Sequence, residues 1–333
     1  MITWDALDAL SHAFELNGIG PGSTVIAVVG DDPDLALLVR TALARSRAEA
    51  VEVHPVRSGP GDLAGLLDGP LLSSMLDAAD IVIDALPDPG LADLDLGGAL
   101  LRLHPAAATA ELRPPHANLD TRVQVLRELL ASGVDMAIRD DNGTDLSLWT
   151  EGGEITGDGG RVGGPGDRAE FPSGWVRVVP AAGSVHGTVV LMPGDANLTR
   201  GAHFDSPVRL EIHDDLITAI DGDSPDADVI RALLEHIDHD HAYGFSSFGL
   251  GMNPGRRTTG GPFDPELVDD TLATLTAGVV RLAFGDNLVA DRPCGATIAL
   301  ALAGRDIAVD GADLCRGGEL VGDIAPDVYE LPD

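Results

Sequence analysis

The spacing of apolar and polar residues changes character about a third of the way along this 333-residue chain. In the first part, short unbroken apolar runs alternate with segments of helical period. TWDALDALSHAFEL (3–16) spaces its apolar residues as a helix does, and Asn17-Gly18 supplies a stop. TVIAVVG (24–30), VEVHPV (51–56) and DIVIDAL (80–86) read as buried strands. LALLVRTALARSRAEA (35–50) and GDLAGLLDGPLLSSMLDAA (61–79) read as the helices between them. Apolar strands alternating with helices predict a parallel sheet covered on both faces.

HANLDTRVQVLRELLASG (116–133) reads as a further helix and as the hinge between halves, so the expected domains are 1–115 and 116–333. Beyond it the period becomes two. VDMAIRD, TDLSLWT, WVRVVP, GTVVLM, VRLEIHDDLITAIDG and RDIAVDGADL alternate apolar with polar residues and turn at Asp-Gly or Asp-Asp. Helices are expected at 226–237 and 264–277, and the Gly-rich stretch 151–174 is expected to be a mobile loop. The fold class is thus an N-terminal parallel-sheet α/β domain followed by a largely antiparallel α+β domain.

Composition narrows the function. The 54 acidic residues face 21 basic ones, all arginine, for a formal net charge of −33. Such a surface repels nucleic acid and anionic membranes. No basic leader and no run of 18 apolar residues is seen, so a cytoplasmic protein is expected. Cys294 and Cys315 are expected to be reduced thiols. The first strand ends in Gly30-Asp31-Asp32 instead of G-x-G-x-x-G, and two aspartates there would repel a pyrophosphate. No nucleotide or other cofactor is expected.

Several segments, taken in order, resemble the M29 metallo-aminopeptidases, the aminopeptidase T family. They are PPHANLDTRVQVLRELLASGVDMAIRDDNGTDLSL, FPSGWVRVVPAAGSVHGTVVL, FGLGMNPG, VVRLAFGDN and ATIALALAGRDIAVDGADLCRGGELV. The same fold includes the 2,5-dihydroxypyridine dioxygenases, which bind one iron. The resemblance implies a site in the C-terminal domain, opening on the cleft between halves, and dimers formed through that domain. It also implies metal ligands at five places. In this chain they fall on Trp175, on Ser247 (where the dioxygenases place a His), on Arg281, and on Thr297 and Ala299. None of these side chains suits the expected ligand role, so the metal is expected to be absent.

Arg281, standing where a metal belongs, is the sharpest binding candidate, because a guanidinium can grip a carboxylate, sulfate or phosphate at two points. The alternative is an ion pair within the chain, with Asp286 the nearest choice in sequence. Trp175 would fill the vacated space or stack on a substrate, Ser247 and Thr297 would donate hydrogen bonds, and Arg256 with Arg257 would either be solvated, the preferred reading, or reinforce an anion site. Asp84, at a strand end, and His203 with Asp205 are candidate proton-transfer groups. HIDHDHAY (236–243) tempts as a metal motif through His236, His239 and His241, but a solvated, acidic helix end with His near the helix dipole is the preferred reading.

The leading expectation is a metal-independent enzyme of specialised metabolism acting on a small anionic metabolite, by elimination, cyclisation or isomerisation. One alternative is a catalytically silent binding or scaffold subunit working with a partner protein; in either case a homodimer or a complex with a partner subunit is expected. The other is an aminopeptidase or ring-cleaving dioxygenase whose metal site has moved.

Overall fold

The computed structural model describes residues 3–55, 70–87, 90, 91, 94, 96–105, 107, 114–237, 239–256 and 268–330. Residues 1–120 with 158–173 form one compact unit, and residues 121–157 with 174–333 form a second.

The chain opens with α1 (Trp4–Leu16), started by the Thr3 hydroxyl, which accepts from the Ala6 amide at 3.1 Å. β1 (Thr24–Val29) follows, then α2 (Pro33–Ser46), capped by the Asp32 carboxylate with proline at the first turn. Arg47 adopts a left-handed conformation (φ 60°) that ends α2 four residues before the expected stop. β2 (Glu49–Val53), α3 (Pro70–Asp77), β3 (Ile81–Ala85) and β4 (Ala99–Leu103) complete this stretch. The expected helical residues 61–69 lie outside those described. β4 was not anticipated, because five residues of Ala, Leu and Arg carry no period that separates strand from helix.

α4 (Ala117–Ala131) leads into β5 (Asp135–Arg139), β6 (Asp145–Trp149), β7 (Glu154–Asp158) and β8 (Arg168–Phe171). The expected mobile loop at 151–174 is therefore corrected: it contains two strands. β8 joins the first unit as the fifth strand of a wholly parallel sheet, order β2-β1-β3-β4-β8, pairing Leu101 with Ala169. Backbone pairing over distance in sequence overrode the local glycine signal. Half-buried Asp158 then ties the segment down, accepting from the Glu170 amide and the Ser173 hydroxyl, each at 2.8 Å.

The remaining strands are β9 (Trp175–Val179), β10 (Val185–Leu191), β11 (Ala196–Asn197), β12 (Ala202–His203), β13 (Val208–His213), β14 (Leu216–Asp221), β15 (Phe245–Gly251), β16 (Val280–Asn287), β17 (Arg292–Leu302), β18 (Asp306–Val309), β19 (Ala312–Arg316) and β20 (Glu319–Leu320). Among the described residues two α-helices interrupt them, α5 (Pro225–Ile237) and α6 (Asp270–Leu275). The part of the expected second helix at 264–267 lies outside the described residues. One sheet runs β14-β13-β10-β6-β5-β18-β19-β20, with every registered pair antiparallel. The other runs β12-β11-β17-β16-β15-β9-β7 and is antiparallel from β12 to β9.

Arg305 ties the two sheets of this unit together. It is 4% exposed and bonds Asp195 through both terminal nitrogens, Val190 O at 3.0 Å and Ala303 O, with Asp140 at 2.9 Å from its Nε. A buried guanidinium is tolerated there because two carboxylates and two carbonyls replace its water.

Candidate functional site

The seven-stranded sheet gathers the carried-over positions on one face. Register aligns Ser247, Ala283 and Ala299 in one cross-strand row. The next row runs through Arg177, Gly249, Arg281 and Ala301. Trp175 lies opposite Gly251, and Thr297 opposite Gly285. Strand side chains alternate with period two, so Trp175, Ser247, Arg281, Thr297 and Ala299 share a side. The opposite side carries the core, with Phe248, Leu250, Leu282, Phe284 and Leu300 all buried.

This face is already partly filled. Ala299 and Ala301 pack with Ala196, Leu198, Ala273 and Val279. A Cβ at Gly251 would overlap the Thr276 carbonyl oxygen, so glycine there lets the chain after α6 lie directly on β15. The strand ends at Gly251 because that crossing backbone takes over its pairing: Gly251 N donates to Val279 O and Asn253 N to Leu275 O.

Arg281 is paired within the chain. Its Nε reaches Asp270 Oδ1 at 2.7 Å and its terminal nitrogen Asp270 Oδ2 at 3.1 Å. The partner comes from α6, not from Asp286, which instead accepts from the Cys294 and Gly295 amides and is held below the usual carboxylate range by them. Trp175 is half-buried, with the Arg177 guanidinium 5.9 Å from its ring. Ser247 is buried and Thr297 exposed.

The other candidates fall in three places. His203 lies on the Arg281 row, through Ala196 and Ala301, three strands or roughly 14 Å away. Its Nδ1 is 3.3 Å from Asp195 O, and its Nε2 is buried without a hydrogen-bond partner. Asp205 is exposed, and its amide donates to Asp226 at the start of α5. Asp84 belongs to the first unit. It is fully buried and accepts from the Leu86 and Leu91 amides, and burial raises its pKa. The next residues, Ala85 and Leu86, line a cavity of about 180 Å³ with Gly30 and Asp31, beyond the ends of β1 and β3. Arg256 closes a 3-10 turn after Asn253, while Arg257 lies outside the described residues.

His239 and His241 make an edge contact at 4.8 Å, but their Nδ1 atoms engage His241 N and Pro293 O. Among the described residues, three ligand atoms converge elsewhere, at His186, His213 and Asp214. Sequence reading missed this group, since its parts lie on different strands and meet only through register.

A family model, 2,5-dihydroxypyridine 5,6-dioxygenase (NicX), matches residues 5–322. The chain belongs to the 2,5-dihydroxypyridine 5,6-dioxygenase family. A curated 2,5-dihydroxypyridine 5,6-dioxygenase of Pseudomonas putida KT2440 is 26% identical over 261 residues, 73% of this chain and 74% of the relative. The solved structure of a 2,5-dihydroxypyridine dioxygenase from the same strain superposes with a TM-score of 0.76 at 21% identity, covering 96% of this chain and 98% of that one. AmpT of Thermus thermophilus superposes with a TM-score of 0.54 at 14% identity, over 95% and 99% of the two chains. These neighbours establish the M29-type fold expected from the motifs.

Membership in this family overturns the expectation of a metal-independent eliminase, cyclase or isomerase, because the family is named for a ring-cleaving dioxygenation. Even so, iron does not fit the five carried-over positions. Trp175, Ser247, Arg281, Thr297 and Ala299 offer no imidazole, thiolate or carboxylate, and a guanidinium stands among them. Ala299 sits in an apolar cluster that leaves a cation no compensating ligand. Among the described residues no helix is long and apolar enough to cross a membrane.

Proposed function

We propose that this protein acts in the ring-opening oxidation of a hydroxylated pyridine, the reaction class of its family. The family match over residues 5–322 carries this reading. The chain's own groups suit a flat, hydroxylated ring. Trp175 offers a half-exposed aromatic face, Thr297 an exposed hydroxyl and Ser247 a second hydroxyl on the same side of the sheet. The Arg281–Asp270 pair beside them presents both signs of charge to a zwitterionic or tautomeric heterocycle. No redox step is assigned to this face, since it lacks ligands for a metal.

A specific observation favours a second reading, a member that binds such a ring without oxidising it: tryptophan at 175, serine at 247, arginine at 281, threonine at 297 and alanine at 299 occupy all five positions where this face would present ligands. One experiment separates the two. The protein is incubated anaerobically with ferrous iron and 2,5-dihydroxypyridine, oxygen is admitted, and oxygen uptake is followed with the ring's ultraviolet absorbance. Stoichiometric uptake with loss of the ring spectrum supports the dioxygenase. Saturable binding of the ring by calorimetry without oxygen uptake supports the binding member, and neither response rejects both.

A further inference from the structure

Away from that face, the eight-stranded sheet of the second unit brings two histidines and an aspartate to one point. Register pairs Gly187 of β10 with Ile212 of β13, which makes His186 and His213 the next cross-strand neighbours. Their rings stand 6.2 Å apart and nearly perpendicular. Asp214 follows at the turn, with its Oδ1 3.7 Å from His186 Nδ1. One ligand atom from each residue lies within 4.8 Å of the other two. His186 is half-buried, and His213 and Asp214 are exposed, so the group is open to solvent on one side.

We propose that His186, His213 and Asp214 form a binding site for a divalent transition-metal ion of the zinc type, with water completing the coordination. The donor set is two imidazole nitrogens and one carboxylate oxygen, which suits zinc, nickel, cobalt or ferrous iron and not calcium or magnesium. Tetrahedral ligands at bond lengths of about 2.1 Å stand roughly 3.4 Å apart. The exposed His213 and Asp214 side chains need only a small swing to close the remaining gap.

Two further features point the same way. The first is the state of His186. Its Nε2 lies 3.1 Å from the Gly183 carbonyl, which can only accept, so Nε2 carries the proton. Nδ1 is left with its lone pair on the Asp214 side, where it accepts from the Asp214 amide at 3.3 Å, a long hydrogen bond that a bound ion would replace. A metal-ligating histidine is commonly oriented this way, with its far nitrogen donating to a backbone carbonyl. The second is rigidity. Asp214 and Asp215 form a two-residue hairpin turn with φ of 46° and 67°, a conformation aspartate tolerates. Asp215 is 1% exposed and anchors that turn by accepting from Gly183 N at 2.6 Å, Val185 N at 2.7 Å and Arg292 at 3.1 Å. Gly183 thus holds both the His186 ring and the backbone of the turn bearing Asp214, so only the exposed His213 and Asp214 side chains must adjust when an ion arrives. The net charge of −33 raises the local concentration of cations.

The site stands independently of whether the protein opens a ring. It is tested on full-length protein without a histidine tag, stripped with chelator, by calorimetric titration with zinc and by the visible spectrum of added cobalt. The expected result is saturable binding of one zinc ion, cobalt bands of a low-coordinate nitrogen–oxygen site, and an affinity loss on the order of tenfold or more in His213→Ala and in Asp214→Asn. His239→Ala serves as the control and retains binding. Both test positions are exposed, and circular dichroism verifies that the variants fold. No binding at millimolar zinc, or binding undiminished in His213→Ala and Asp214→Asn, overturns the proposal.

Discussion

Arg281 and Asp270 form a two-point ion pair, at 2.7 and 3.1 Å, on the sheet face that also carries Trp175, Ser247 and Thr297. Arg281 is 19% exposed and Asp270 52% exposed, so the pair sits at the edge of solvent. Asp270→Asn removes the internal anion and leaves the guanidinium open. The change is expected to cost about 1 kcal/mol or less, as for other partly exposed pairs. Carboxylate or phosphate ligands are expected to raise the melting temperature of Asp270→Asn more than that of the parent. Equal shifts in both proteins would show that Arg281 has no accessible anion-binding face.

Ala299 is a position where the fold resemblance implies a metal ligand, yet here it is 4% exposed among Ala196, Ala273, Val279 and Ala301. Ala299→Asp is expected to destabilise the protein by at least about 2 kcal/mol, because a carboxylate is placed in an apolar cluster with no cation or donor supplied. Urea denaturation measures this. Ala299→Ser provides the size control and is expected to cost less.

Asp158 gives a signed pH dependence. Burial pushes its carboxyl up to about 6 from the ordinary 3.8, the Glu170 carboxylate adds to the rise, and hydrogen bonds from Gly160, Ser173 and Glu170 oppose it. The folded protein therefore holds this proton more tightly than the unfolded chain. The resulting stabilisation is complete below pH 3.8 and is lost as pH rises through 6. At about 1.4 kcal/mol per unit, the swing is about 3 kcal/mol. The difference in unfolding free energy between parent and Asp158→Asn, followed by urea denaturation, should change across that window and level off above it. Glu52 and Glu211, which arginine hydrogen bonds hold below their usual range, bias both proteins alike and cancel in the difference.

The two thiols should react very differently. Cys315 is fully buried and its thiol is pushed up to about 12 by burial, with Asp306 and Glu319 adding to the rise. Cys294 is half-exposed, and neither cysteine is in a disulfide. A thiol reagent at neutral pH is expected to label Cys294 alone in the native protein and both cysteines after unfolding, as read by mass spectrometry. Rapid labelling of Cys315 would mean that β19 opens easily.

Much of the architecture was legible in the chain because it depends on local pattern. α1, β1 and β3 fall within a residue or two of their expected limits, since helical and strand periods and capping residues act over a few positions. The segments quoted around FGLGMNPG also pointed to the correct fold family. What local pattern does not contain is which strand lies beside which. The Gly-rich segment 151–174 looked like a loop until β8 paired with β4, some seventy residues earlier. Asp286 looked like the partner of Arg281 by nearness in sequence, but the next turn of chain above the sheet belongs to α6 and supplies Asp270. His186 and Asp214 stand twenty-eight positions apart and meet only because β10 and β13 are neighbours in one particular register. The sequence by itself determined most of the elements, the two kinds of sheet and the lineage, because these rest on short-range periodicity and motif order. Tertiary structure alone decided which polar groups face one another, because cross-strand register is set by packing the whole core, and one residue of slip would turn every such side chain to the other face.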